Sequence, residues 1–232
     1  MTKPRGRPRR NPSSPTGLGA EQDILHAAGE LFVQHGFSAT STRAVAERAG
    51  LQQASVYHYF ASKEDILLRL VLLTVRPSRR FAELLATVDA PPHVKLWALC
   101  FADTRLLIDD PQNLGALYFC PELRAPAFQE FHADRDALET VYARLVDETT
   151  GQLDHHLDAS FTGAIVMGLA ENVIVLRQRT RPLPEDAAER IADDALYLVG
   201  AGRKVTEQNR LQALELVQHL QAERSDSVAV SG

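Results

Sequence analysis

The apolar residues of this chain recur every three to four positions from Leu18 almost to the C-terminal end. That period suits one stripe of an α-helix and excludes the alternation of a half-buried strand. Ile24, Leu25, Ala28, Leu31 and Phe32 make the first stripe, which Gly36 closes at a position suited to a left-handed residue after a helix. Short helices are predicted at Thr42 to Ala49 and Gln53 to Phe60. Ser62 reads as the N-cap of a fourth that runs to Pro77, with Glu64 and Asp65 in its first turn. Further helical segments are predicted at 78–88, 93–109, 112–120, 123–149, 158–180, 184–200 and 206–224. The expected fold class is all-α.

Three residues stand at a spacing that ordinary helix packing does not require. Ala46 is small where a second helix would cross the first. Gly50, four residues on, can take the positive φ of a tight turn, and Val56 returns an apolar side chain to the shared core. This is the pattern of a helix-turn-helix, in which the second helix enters the DNA major groove. Val56 and Phe60 then face inward, and Gln52, Gln53, Ser55, Tyr57, His58 and Tyr59 are left outside. An amide such as Gln53 can pair with adenine in two ways, and small side chains such as Ser55 admit thymine methyls. Tyr57, Tyr59 and Lys63 have the reach to hold phosphates. Arg43 can meet a guanine or a phosphate, and Thr42 can donate to a phosphate.

Charge is distributed to match. Residues 1–80 carry 12 Lys and Arg against 6 Asp and Glu, whereas residues 81–232 carry 13 against 24. A basic end on an acidic body implies that one module meets a polyanion and the other does not. The first ten residues hold Lys3, Arg5, Arg7, Arg9 and Arg10, in a Pro-, Gly- and Ser-rich stretch expected to be disordered. Within it Pro4-Arg5-Gly6-Arg7-Pro8 resembles an AT-hook core, so Arg5 and Arg7 are expected in an A·T-rich minor groove.

The stretch from Phe37 to Gly50, followed by Leu51 to Leu67 with its Val56-Tyr57-His58-Tyr59-Phe60 block and Ser62-Lys63-Glu64, resembles the DNA-binding domain of the TetR family. The resemblance covers roughly residues 20–70. It implies phosphate contacts from Ser41 and Thr42 and a base contact from Arg43. Gln53, Ala54, Ser55, Tyr57 and His58 would fill recognition-helix positions, with Tyr59 and Lys63 on the DNA backbone. Gln52-Gln53-Ala54 departs from the Ser-Lys-Gly-like triplet common in the family. The organisation expected is a basic tail at 1–17, a helix-turn-helix domain at 18–62, a helical ligand-binding and dimerisation domain at 63–224, and a disordered end at 225–232.

One helix-turn-helix reads few base pairs, so a homodimer on a palindromic double-stranded operator is expected. Residues 161–176 are apolar nearly all round, with Gly163, Ala164 and Gly168 small enough for close approach by another helix. The stripe Ala188, Ile191, Ala192, Ala195 and Val199 offers a second such surface, with core packing as the alternative for both. The resemblance also implies a small-molecule effector site in the body. Candidates to line it are Trp97, Phe101 and Arg105, then Tyr118, Phe131, His132, Arg135 and Tyr142, and finally Glu171 and Asn172, whose burial in an apolar helix would demand partners. The function so implied is a sequence-specific transcriptional regulator, read as a repressor, whose operator affinity a small molecule modulates.

Other classes fit less well. Cys100 and Cys120 make no disulfide framework, and no CxxC pair offers zinc. His155 and His156 with Asp154, Asp158 and His132 suggest a metal site only loosely, without a recognised ligand spacing. No phosphate-cradling loop or nucleophile elbow is present, so no catalytic residue, metal or cofactor is expected. A non-specific architectural DNA protein that works through its tail conflicts with the acidic body. The longest apolar run, Gly163 to Ala170, stops at Glu171 and Asn172, and the basic N-terminus lacks the apolar stretch of a secretory signal. A cytoplasmic protein without a membrane partner is the expectation.

Overall fold

The computed structural model describes residues 14–152, 157–179 and 182–230. Among these the regular structure is helical: α1 (Ala20–His35), α2 (Thr42–Arg48), α3 (Gln53–Tyr59), α4 (Lys63–Thr87), α5 (Pro92–Asp109), α6 (Gln129–Gln152), α7 (Ala159–Leu176), α8 (Ala187–Leu198) and α9 (Arg203–Val230). The residues divide into two compact units. One comprises the chain up to Leu73 with Leu114–Phe131, the other Thr74–Asn113 with the chain from His132 onward.

The first unit is built on α1, α2 and α3. Ile24, Ala28, Phe32, Val45, Ala46, Val56 and Phe60 are all buried, and Phe32 meets the Phe37 ring edge-on at 5.1 Å. The three residues that mark the helix-turn-helix behave as their spacing predicts. Gly50 has φ +69°, the Leu51 amide donates to the Ala46 carbonyl at 2.8 Å, and Val56 is 1% exposed. Ser41 caps α2 by accepting from the Ala44 amide at 3.1 Å, and Ser62 caps α4 through the Asp65 amide. The chain is ordered earlier than the expected tail boundary at 17. Buried Asp23 accepts hydrogen bonds from the Ser14 hydroxyl, the Thr16 hydroxyl and the Thr16 amide, which straps residues 14–16 to α1.

Helix α4 runs through Pro77 without a break, where the sequence predicts a stop. A proline inside a helix removes one hydrogen bond and crowds the preceding turn, at a cost of about 3 kcal/mol. The side chains around it offset that cost. Arg76 and Arg79 both pair with Asp134 of α6, and the Ser78 hydroxyl donates to Asp103 of α5 at 2.6 Å. Both carboxylates are buried.

Prolines do shape the connection after α5. In place of the helix predicted at 112–120, Leu114–Phe119 is a 3-10 helix, and the start of the one predicted at 123–149 is divided between Pro121–Arg124 and Pro126–Phe128. Each of the latter two begins at a proline, whose fixed φ starts a turn but whose missing amide prevents helix from entering it. At the other end α9 continues past residue 224 to Val230.

In the second unit α5 is the central helix, packed by α7, α8 and α9. Ala188, Ala192, Ala195 and Val199 are each 0% exposed within the single chain, so this stripe is core rather than the second docking surface expected of it. Gly163 is likewise used internally, since a Cβ there would lie 2.6 Å from the Ala143 backbone of α6. Helix α7 has a mean hydropathy of 1.7 over 18 residues, which corrects the reading that no segment reaches the length and apolarity of a membrane span. Here it packs on α5 and α8 through Val166, Met167, Ala170, Val173 and Ile174.

Gly163→Ala is expected to lower stability by about 1–3 kcal/mol, the range for overpacking a tight contact. Gly151→Ala, where an added Cβ meets nothing within 4 Å, is expected to leave stability unchanged or raise it by up to about 1 kcal/mol. Urea unfolding of the two variants checks the contrast.

Candidate nucleic-acid interface

Helices α2 and α3 hold their exposed polar side chains in a connected set. Thr42 Oγ1 lies 3.1 Å from the Tyr57 hydroxyl, and Gln53 Nε2 donates to the same Thr42 oxygen at 3.1 Å. One hydroxyl on α2 thus orients two side chains of α3. A primary amide carries two donors and a carbonyl oxygen. After giving one N–H to Thr42, Gln53 retains the N–H and the oxygen that bidentate pairing with adenine requires. Arg43 pairs with Glu47 one turn on at 2.9 Å, with side chains 77% and 56% exposed. Such a pair contributes at most about 0.5 kcal/mol, so the guanidinium is cheaply released to another anion.

Tyr57 is 51% and Tyr59 40% exposed, and the rings of His58 and Tyr59 meet edge-on at 5.3 Å. Gln53, Ala54 and His58 are also exposed, with Ser55 half-buried between them. Ser41 spends its oxygen on the α2 cap while its hydroxyl proton stays available to donate. Lys63 has a role that the sequence reading missed. Its ammonium donates to the carbonyls of Phe37 at 2.8 Å and Thr40 at 2.9 Å and stands 4.1 Å from the centre of the Phe37 ring. It therefore ties the start of α4 to the turn between α1 and α2, leaving one N–H for any phosphate. Arg5 and Arg7 lie outside the described residues.

The candidates for an effector site are not brought together around one cavity. Trp97 is fully buried, donates from Nε1 to Asp193 at 2.8 Å and stacks on Phe101 with ring centres 5.0 Å apart. Tyr142, also fully buried, donates to Asp103 at 3.1 Å. Arg135 makes a two-pronged ion pair with Glu171, so the carboxylate expected to need a partner finds it on α6. Asn172, expected to be buried, is exposed in the single chain, as is His132. Arg105 pairs with Asp109 at 2.9 Å. Tyr118 and Phe131 belong to the first unit, where their rings lie 5.2 Å apart.

Two further features bear on chemistry. Burial pushes both thiols up, Cys100 strongly, which disfavours the thiolate a nucleophile needs. No group of three or more metal-ligating side chains occurs among the described residues, and His155 and His156 lie outside them.

Comparison with known proteins agrees with the geometry. Residues 24–70 match the model of the bacterial regulatory proteins of the tetR family. The chain is 40% identical over 45 residues to the HTH-type transcriptional repressor KstR2 of Mycobacterium tuberculosis, and 35% identical over 49 residues to the HTH-type transcriptional regulator UidR of Escherichia coli. These alignments span 22% and 25% of those proteins and 19% and 21% of this chain. The crystal structure of Mycobacterium smegmatis AmtR is similar over far more, with 33% identity, a TM-score of 0.78, and coverage of 86% of this chain and 96% of that one. KstR2 of M. tuberculosis shares the fold at a TM-score of 0.66 and 18% identity, over 79% of this chain and 94% of that one. The helix-turn-helix, the helical body and this likeness together define the class: the chain belongs to the tetR family of bacterial regulatory proteins.

Asp103 provides a pH test of the second unit. Burial, and secondarily the Glu171 charge, raise its carboxyl from 3.8 to about 6, against the lowering effect of Ser78, Tyr142 and Arg135. Because the folded-state value is the higher, the stabilisation is complete below pH ~4 and is lost as pH rises through about 6. Asp103→Asn keeps an acceptor for Ser78 and removes the titration. The variant is expected to lose the fall in stability between pH 4 and 6 and, because an amide N–H replaces the oxygen that accepts from Tyr142, to carry a pH-independent loss of its own. Denaturant unfolding at several pH values checks this.

Proposed function

We propose that this protein is a sequence-specific DNA-binding transcriptional regulator, a repressor, that acts as a cytoplasmic homodimer on a palindromic operator. The observation that carries the proposal is the Gln53–Thr42–Tyr57 set. It presents a pre-oriented amide and phenol on the outer side of a helix-turn-helix in the stretch 1–80, which carries excess positive charge. Gln53, Ala54, Ser55 and His58 read bases. Ser41, Thr42, Tyr57 and Tyr59 hold phosphates, and Arg43 reaches either, with the remaining N–H of Lys63 as a lesser contact. Arg5 and Arg7 of the tail add minor-groove contacts.

Dimerisation is supported by what α7 leaves uncovered. Phe161, Ile165, Gly168, Asn172 and Val175 recur at helical spacing along one exposed face, with Phe161 66%, Ile165 38% and Val175 40% exposed. On α8, Tyr197 and Leu198 are 41% and 42% exposed. An exposed strip of this kind, apolar but for Asn172, marks a contact surface. An effector bound in the body alters operator affinity through α4, which begins in the first unit and ends in the second. Coupling of this kind is typically about 1–3 kcal/mol, or about 5- to 150-fold in affinity.

Gln53→Ala is expected to weaken binding to the preferred DNA by about 1–3 kcal/mol and to relax the choice at one base pair. Deletion of residues 1–13 is expected to flatten the log–log salt dependence by at most about 4–5, since five basic residues are lost. Binding abolished by that deletion and untouched by Gln53→Ala would favour the architectural alternative. Phe161→Glu is expected to shift the protein from dimer to monomer in sedimentation velocity, and an unchanged dimer would move the interface off α7.

A further inference from the structure

The interior side chains of the second unit, Trp97, Tyr142 and the Arg135–Glu171 pair, are committed to one another or to internal carboxylates. A groove of about 220 Å3 lies between α4, α5 and α9. Phe81, Leu84, Leu106 and Leu220 make its apolar walls, and Arg80 of α4 and Arg105 of α5 stand on its rim. Arg105 shares its charge with Asp109, also on the rim. Arg80 is exposed and ion-pairs with none of the described side chains. Among the described residues the rim thus carries one cation in excess above an apolar floor.

This combination selects for one ligand chemistry. A small hydrated anion gains nothing from the floor, and a neutral apolar molecule gains nothing from the rim. A guanidinium matches the planar, two-oxygen geometry of a carboxylate. The volume corresponds to about seven waters at ~30 Å3 each. From Pro77 to Leu84 the α4 wall covers two turns, about 10 Å. A carboxylate with a chain of about eight carbons has that length.

We propose that the groove between α4, α5 and α9 binds a small amphipathic organic anion, with its acid group at Arg80 and Arg105 and its apolar part along Leu84 and Leu106. The inference rests on the reading of this protein as an effector-responsive regulator and assigns that effector its site and class. Pro77 and Ser78 also line the groove. A ligand there touches α4 at the turn held through Ser78 to Asp103.

The test is isothermal titration of the full chain with octanoate and with 1-octanol as the neutral comparison. Octanoate is expected to bind once per chain and at least tenfold more tightly than 1-octanol. Arg80→Ala is expected to weaken octanoate at least tenfold. Ala102→Trp, at a half-buried position in the groove, is expected to abolish binding. Leu106→Glu, which puts a negative charge on the floor, gives the same result by a second route should the tryptophan disturb folding. Arg190→Ala, a surface change on α8, should leave binding unaltered. Absence of saturable binding, equal affinity for 1-octanol, or indifference to all three groove variants would overturn the proposal. DNA affinity with and without octanoate separates the two readings. A shift seen in the parent and lost in Ala102→Trp supports both. Octanoate bound in the groove with no change in DNA affinity keeps the site and removes its role as effector site.

Discussion

Helix α4 crosses a proline, and the second unit is arranged around the groups that make this possible. Asp134 takes both Arg76 and Arg79, and Asp103 takes Ser78, so the residues on either side of Pro77 are fastened to α6 and α5. A buried carboxylate is costly unless it is paired or hydrogen-bonded, and a buried donor without an acceptor is costly in turn. Each group is therefore needed by the other. Tyr142 adds a second donor to Asp103, which draws another point of α6 into the same cluster. The adjacent Arg135 then reaches Glu171, so consecutive residues of α6 hold α4 on one side and α7 on the other. Helix α4 begins in the unit that holds the helix-turn-helix and passes through this cluster in the other.

The parts legible in the sequence were those governed by short-range rules. Ala46, Gly50 and Val56 lie within eleven positions of one another, and each is limited by local geometry: a small crossing residue, a positive φ and an inward apolar side chain. Ser62 likewise acts on an amide three residues ahead, whereas the caps made by Ser41 and Asp158 were not read from the sequence. The long-range choices were not legible. Periodicity shows that Ala188, Ala192 and Ala195 share a face but not whether that face meets α5 or another chain. Pro77 predicts a break because its compensating partners lie 25 to 58 positions away. The strap of Ser14 and Thr16 on Asp23 was hidden by a composition that resembles the tail before it. Lys63 was read as a phosphate ligand, because nothing in the sequence reveals that two carbonyls and a ring occupy its ammonium.

The site's chemistry follows from the same division. The outer surface of α2 and α3 could be named residue by residue, since the helix-turn-helix dictates which side chains are left outside. What the structure adds is their mutual orientation through Thr42, which limits the freedom of Gln53 and Tyr57 before any DNA arrives. In the proposed function, less ordering entropy then remains to be lost on binding. For the body, the sequence supplied aromatic and charged residues at plausible spacings, but large side chains at helical spacing fill a core as readily as they line a cavity. Trp97 and Tyr142 proved to be core.

The proposed function turns on whether α3 reads bases. Selection of bound DNA from a random pool at physiological salt tests this most directly. The expected result is a consensus with two-fold symmetry, two half-sites each carrying defined base pairs. An A·T-rich but otherwise unpatterned pool would contradict it, because binding would then come from the basic tail and the residues of α3 would have no role in recognition.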